Sequence, residues 1–239
     1  MEDNLNVEIA EKKSMNIFKK ILFIFTSPSE LLKDIMDHPK MVMPLLFSSI
    51  FLVIAQFIRM PLSHITTQRV NDAYLQYGIP IQQEAVSNSV YIFSSLISPA
   101  SLILSWLTGG FVLWIFVKIF KGKSSIKQIL SLYAHSYIIR YIGFLIVSPI
   151  NLILNTDVVI FSPAVFLVNP SILSFTHILL SSLEFFTIWS MVIVGFGISM
   201  FNNFTKPKGL IISFLYFILT NLLIVGISMI PLYAINLLM

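Results

Sequence analysis

Apolar residues in this chain arrive in long runs separated by short polar clusters, and the runs are longer than a soluble core needs. A helix requires about 20 mostly apolar residues to cross about 30 Å of hydrocarbon. Five stretches meet that requirement, at residues 41–58, 99–120, 129–152, 172–201 and 210–237. Pro44 falls in the first turn of the first stretch, where a missing N–H removes no helical bond. The pattern predicts an all-α integral membrane protein with five transmembrane helices. Residues 41–239 form its membrane domain and residues 1–40 an N-terminal segment with amphipathic helices.

The period changes inside that N-terminal segment. Ile17, Phe18, Ile21, Leu22 and Phe25 make one apolar stripe, with Lys19 and Lys20 between them. Ser27-Pro28-Ser29-Glu30 reads as a capping box with proline at the first helical position. Leu31, Leu32, Ile35 and Met36 then form a second stripe, stopped by His38-Pro39. These two short helices are expected to lie in the headgroup layer or to pack as lids on the ends of the spans, and the two placements are compatible. Residues 1–13 are polar and expected to be mobile. The segment 59–90 is too long for a simple turn. Residues 64–77 look helical and amphipathic, with Gly78 where a C-terminal cap belongs. Residues 81–96 read as a helix leading into the second span, with Pro99 as a break or kink.

Composition narrows the class. Hydrophobic residues make up 56% of the 239 and charged residues 11%, too few charges to cover a water-facing surface. An ordinary soluble enzyme and a disordered chain are excluded, and a net charge of +4 with no basic face argues against nucleic acid as a partner. The first apolar run, 17–25, is too short to span and follows an acidic start, so a cleaved secretory signal is not expected. Twelve of the 15 basic residues fall in three segments: the N-terminal one, the turn around Lys118, Lys121, Lys123 and Lys127, and the turn with Lys206 and Lys208. The opposite loops carry only Arg59 and Arg69. By the positive-inside rule the N-terminus is cytoplasmic and the C-terminus extracytoplasmic, as an odd number of spans requires.

Candidate chemistry is sparse. There is no cysteine, no His-Glu-x-x-His, no Gly-x-Ser-x-Gly, no pair of neighbouring glutamates within a span and no Gly-rich phosphate loop. The four histidines lack ligand spacing. No catalytic residue, cofactor or metal is therefore expected. Arg140 and Glu184 are the ionisable groups inside spans, at similar expected depth, and could pair across a helix interface. His177, Ser181 and Glu184 share one helical face, and Tyr133, Tyr137 and Tyr141 another beside Arg140. They outline a polar, aromatic seam, either a packing interface or a lipid-headgroup or water pocket. His135 reads as a hydrogen-bonded interior histidine. Ser105, Gly109 and Gly110 in the second span, and Gly195 and Ser199 in the fourth, let a neighbouring helix approach.

The order of features resembles the Yip domain family of membrane proteins. Phe25-Thr26-Ser27-Pro28 is similar to the family's Phe-x-x-Pro before a short helix, and Leu75-Gln76-Tyr77-Gly78-Ile79-Pro80 resembles a loop of prokaryotic members. The run from Lys118 to Gln128, with its lysine, glycine turn and Lys-Gln start to the next span, is the closest likeness. Tyr133-Ala134 stands where the family has Ala-Tyr, and Phe186-Thr187-Ile188-Trp189 with Gly195 resembles the fourth span. Ile139 and Arg140 occupy the place of a frequent family proline. The eukaryotic Asp-Leu-x-Gly-Pro and Gly-Tyr-Ser elements are absent, which points to the prokaryotic branch and away from Rab-type GTPase binding.

What the resemblance implies is a non-enzymatic protein of a bacterial inner membrane. It would act as an accessory or scaffold, with an export ABC transporter, a similar membrane protein or a second copy as partner and the lipid bilayer as its medium. A small transporter or lipid-handling protein using the seam of Arg140 and Glu184 is the alternative.

Overall fold

The computed structural model describes residues 14–79, 84, 86–158, 161–167 and 171–238, with side chains in the last helix described to residue 228 and at 230. The polar stretch 1–13, and residues 80–83 and 85 of the second-span approach, lie outside the described residues. Among those described there is no strand. The helices are α1 (Ile17–Thr26), α2 (Pro28–Asp37), α3 (Val42–Arg59), α4 (Ser63–Gln76), α5 (Asn88–Ile119), α6 (Ile126–Ile153), α7 (Phe175–Ser182), α8 (Phe185–Asn202) and α9 (Lys206–Leu238). Five helical segments are long and apolar enough to cross a membrane: Val42–Gln76, Asn88–Ile119, Ile126–Ile153, Phe185–Asn202 and Lys206–Ser228.

Helix α6 is the central post. Every residue from Ile129 to Ile139 is buried, and α3, α5 and α8 pack around it, with α9 laid along α8. The outer faces carry Leu46, Ile50 and Ile54 on α3, Leu104, Leu107 and Phe111 on α5, and Leu222, Leu223 and Ile227 on α9, all exposed. A soluble monomer does not leave apolar surface of that extent uncovered. This is the lipid-facing belt of a multi-pass protein.

Chain ends of the helices explain the turns. At the end of α4 the Ile79 amide bonds the Tyr74 carbonyl at 3.0 Å and the Gly78 amide the Leu75 carbonyl at 2.9 Å. This is a Schellman cap with Gly78 at φ +74°. The turn after α5 repeats it with Lys121, not a glycine, at φ +65°. Gly122 is needed there for closeness, since a Cβ would strike Val117 and the Asn202 amide oxygen. Ser125 then opens α6 with a full capping box to Gln128.

Three expectations are corrected. Ser27 does precede α2, but its side chain makes no cap bond, and Glu30 pairs instead with Lys33 at 3.1 Å. The reason is that Ser27 also ends α1: its amide already donates to the Phe23 carbonyl at 3.0 Å, so it has nothing left to give Glu30. The fourth apolar stretch is not one helix. It breaks at Leu183 and Glu184 into α7 and α8. The second spanning helix begins earlier than expected, at Asn88 behind a Ser87 cap, and runs through Pro99 without a break.

Candidate functional site

Of the two expected placements, packing on the bundle is the one seen for α2. Helix α2 turns Leu31, Leu32 and Ile35 fully into the bundle. Helix α1 does the reverse with most of its stripe: Phe18, Leu22 and Phe25 point outward, while Lys20 and Ile24 face in. Lys20 is 3% exposed and its ammonium meets the Asp34 carboxylate at 2.7 Å. The Met15 amide holds the other carboxylate oxygen at 2.8 Å, and His38 lies 3.8 Å from it. Burial alone would raise the Asp34 carboxyl, but the Lys20 and Met15 hydrogen bonds and the Lys20 charge hold it below the usual carboxylate range. Behind this clamp sits His135, fully buried, its Nδ1 on the Ser131 carbonyl at 2.8 Å. The Ser131 hydroxyl donates to Lys40 and the Gln128 amide to Met36, tying the segment after α1 to α6.

Halfway along α6 lies a cavity of about 490 Å³. Arg140 borders it with Tyr133 and Tyr137 from the same helix, Thr187 from α8, and Thr220 and Asn221 from α9. The Arg140 Nε donates to the Ser190 hydroxyl at 3.0 Å, and its Nη2 lies 3.9 Å from the Met191 sulfur. The guanidinium stands over the Tyr137 and Tyr133 rings at 5.5 and 5.9 Å. Among the described residues no carboxylate reaches ion-pair distance of it. An ionised arginine at the centre of a span costs about 2.5–3.5 kcal/mol on insertion scales. The ring contacts return up to about 2 kcal/mol where desolvated.

Arg140 and Glu184 are therefore not a pair. Glu184 caps α8, its two carboxylate oxygens accepting the Phe186 and Thr187 amides at 2.9 and 2.8 Å. It sits at the helix end, while Arg140 reaches Ser190 more than a turn further in. The expected common depth fails because the fourth stretch breaks at Glu184. His177 lies apart too, buried in α7 beside a small pocket it shares with Arg69. The Ser181 hydroxyl finds no hydrogen-bond partner among the described residues. At that far end Arg69 pairs with Asp157, and Arg59 donates to the Asp157 carbonyl at 3.5 Å, so α3 and α4 are stitched to the loop after α6.

Tyr133 and Tyr137 do gather at Arg140, and a tyrosine missed in the sequence joins them. The Tyr216 hydroxyl of α9 lies 3.0 Å from both the Gly109 carbonyl and the Tyr133 hydroxyl, and Ser105 meets Tyr137 at 3.1 Å. Tyr216 was detectable as the one tyrosine between Leu210 and Ser228. Lys20 was detectable because it shares one helical face with Ile17, Ile21 and Ile24, and Asp34 because it falls between Leu31 and Ile35. The small residues serve internal contacts. A Cβ on Gly109 would come within 2.9 Å of the Tyr133 hydroxyl, and one on Gly110 within 2.7 Å of Leu130. Gly195 lies against the Leu210 backbone, where a Cβ would approach Cα to 2.9 Å, and the Ser199 hydroxyl donates to the Gly195 carbonyl at 3.0 Å.

Together the five spanning segments and the polar cavity define a multi-pass membrane protein that sits in a lipid bilayer. The family model of the Yip1 domain matches residues 22–229, and the chain belongs to that family of non-catalytic membrane proteins. No curated protein and no solved structure matches it.

Proposed function

We propose that the chain is a non-enzymatic accessory or scaffold protein of a bacterial cytoplasmic membrane, with residues 1–40 as its cytoplasmic segment. It works from the inner leaflet. The observation that carries this is the outward stripe of α1: Phe18 is 68% exposed and Leu22 58%, on a helix whose opposite face is anchored by the Lys20–Asp34 pair. A helix fastened on one side and apolar on the other lies in the headgroup layer. The Phe18 ring packs edge-on against Phe47 of α3 at 5.5 Å, which joins this surface to the lipid-facing belt. The resemblance to prokaryotic relatives that accompany export ABC transporters makes such a transporter the partner class. The contact surface is the exposed apolar faces, because Gly109 and Gly195 are spent on internal packing.

The absence of native cysteine makes the test direct. Single cysteines at positions 18, 22 and 33, labelled with a polarity-sensitive fluorophore in vesicles, should report hydrocarbon at the first two and water at the third. Water at all three overturns the reading. Photo-crosslinkers at 18 and 22 in native membranes then identify whether the neighbour is a transporter subunit or a second copy.

A further inference from the structure

The accessory reading leaves Arg140 unused. We propose that the cavity around Arg140 is a binding site for an oxyanion of the phosphate type, carried by a phospholipid headgroup or present as the free ion.

The charge argument comes first. A guanidinium set within a membrane span is kept only where something compensates it. Here the described partners are one hydroxyl, one thioether and two aromatic rings, all neutral. Arginine presents five donors in a planar fork that matches phosphate oxygens two at a time. Ser190 takes Nε and the Met191 sulfur, a weak acceptor, lies 3.9 Å from Nη2, so among the described residues the terminal N–H groups meet no oxygen acceptor. An oxyanion there would complete the pair that no side chain supplies.

The surroundings fit the same ligand. The Thr220 hydroxyl and Asn221 amide donate to their own helix, to Tyr216 and Phe217 at 2.8 Å each. Their oxygens keep lone pairs that can accept from the hydroxyl or ammonium groups of a headgroup beside its phosphate. A volume of about 490 Å³ lies in the range of small-ligand sites. The mouth lies between α5 and α9, where Thr108, Leu223 and Ile224 line the cavity and are exposed to the bilayer side. Acyl chains could stay in the bilayer while the head enters. Glu184 fixes the near end of α8, and with it Thr187, without placing its own charge on Arg140.

The test uses the full chain purified in a neutral detergent, with dioctanoyl phosphatidylglycerol and inorganic phosphate as separate probes, read by calorimetric titration and by thermal unfolding. Arg140-dependent binding of the lipid assigns the headgroup, and Arg140-dependent binding of phosphate alone assigns the free ion. In either case Arg140→Gln should weaken binding about tenfold or more, and Arg140→Lys, which keeps the charge but not the fork, by less. Should Arg140→Gln fail to fold, Thr108→Trp tests the same site from the exposed mouth and should block the lipid. The proposal is overturned if neither probe binds, or if binding persists unchanged in both Arg140→Gln and Thr108→Trp.

Discussion

Lys20 at the lysine-rich end and Arg140 halfway along α6 are both turned inward, and their surroundings are opposite. Lys20 meets a carboxylate at 2.7 Å, and that carboxylate is completed by a backbone amide. Nothing in the arrangement is left to act on a third party. Arg140 has a hydroxyl, a sulfur and two ring faces, and one side open to a cavity. A closed ion pair is a fastener whose loss is felt by the fold. A cation with neutral partners contributes little to the fold and keeps its charge for something else. Each substitution below separates these two roles.

The largest effect belongs to the fastener. Asp34→Asn leaves the Lys20 ammonium buried without its partner, and breaking a buried pair from one side costs about 3–5 kcal/mol. The molecule escapes part of that by letting α1 swing off. Ile24, fully buried under α1, becomes the reporter. As Ile24→Cys in this cysteine-free chain it should react slowly with a maleimide, and quickly once Asp34→Asn is added. The double change Lys20→Met with Asp34→Leu should restore slow labelling, because two apolar groups of similar size need no partner. Equal labelling in all three variants would show that the pair fastens nothing.

Acid should release the same fastener. The Asp34 carboxyl lies below its ordinary value of about 4. A group lowered by folding stabilises the folded form above its unfolded pKa, and that stability is lost as pH falls through the folded value. Labelling at position 24, taken relative to an exposed cysteine at position 33 so that the fall in thiolate with pH cancels, should therefore stay constant from pH 7 to about 5 and rise only below about pH 4. A rise near pH 6 would place the control elsewhere.

These contrasts were unevenly legible in the sequence. The lipid-facing belt was plain, because hydropathy over a spanning length needs no knowledge of neighbours. The break at Glu184 was hidden, because apolar residues on both sides of it keep the run continuous and only hydrogen bonding to the Phe186 and Thr187 amides reveals a cap. Arg140 was recognisable as exceptional, but its assigned partner was wrong for that reason. The inward turn of Lys20 was missed since the outward stripe Phe18, Leu22 and Phe25 is the stronger apolar signal, and burial by it requires a membrane rather than a protein core. The tyrosine cluster needed α9 brought beside α5, which no local pattern encodes.

A smaller effect is expected at Ser190. Its hydroxyl accepts from Arg140 at 3.0 Å and donates to the Thr187 carbonyl at 2.7 Å. Ser190→Ala removes one bond to a charged donor and should lower stability by about 1–2 kcal/mol, measured by thermal unfolding in detergent. A loss as large as that of Asp34→Asn would mean that Ser190, not an external anion, is what makes Arg140 tolerable.

The smallest change is expected from removing the cation altogether. In Arg140→Met the groups around it remain satisfied. Ser190 keeps Thr187, Tyr216 keeps Gly109 and Tyr133, and Tyr137 keeps Ser105. The substitution also removes a charge that is expensive to bury, and methionine fills much of the same space, so stability should stay within about 1 kcal/mol of the parent. Lys20→Met is not equivalent, because it strands the Asp34 carboxylate, which is 8% exposed, beside the Met15 amide. The two cation deletions should thus differ by several kcal/mol, as the cost of stranding a buried charge requires. If Arg140→Met unfolds the protein as readily as Lys20→Met does, both cations are fasteners, and the difference between the two regions is one of depth alone.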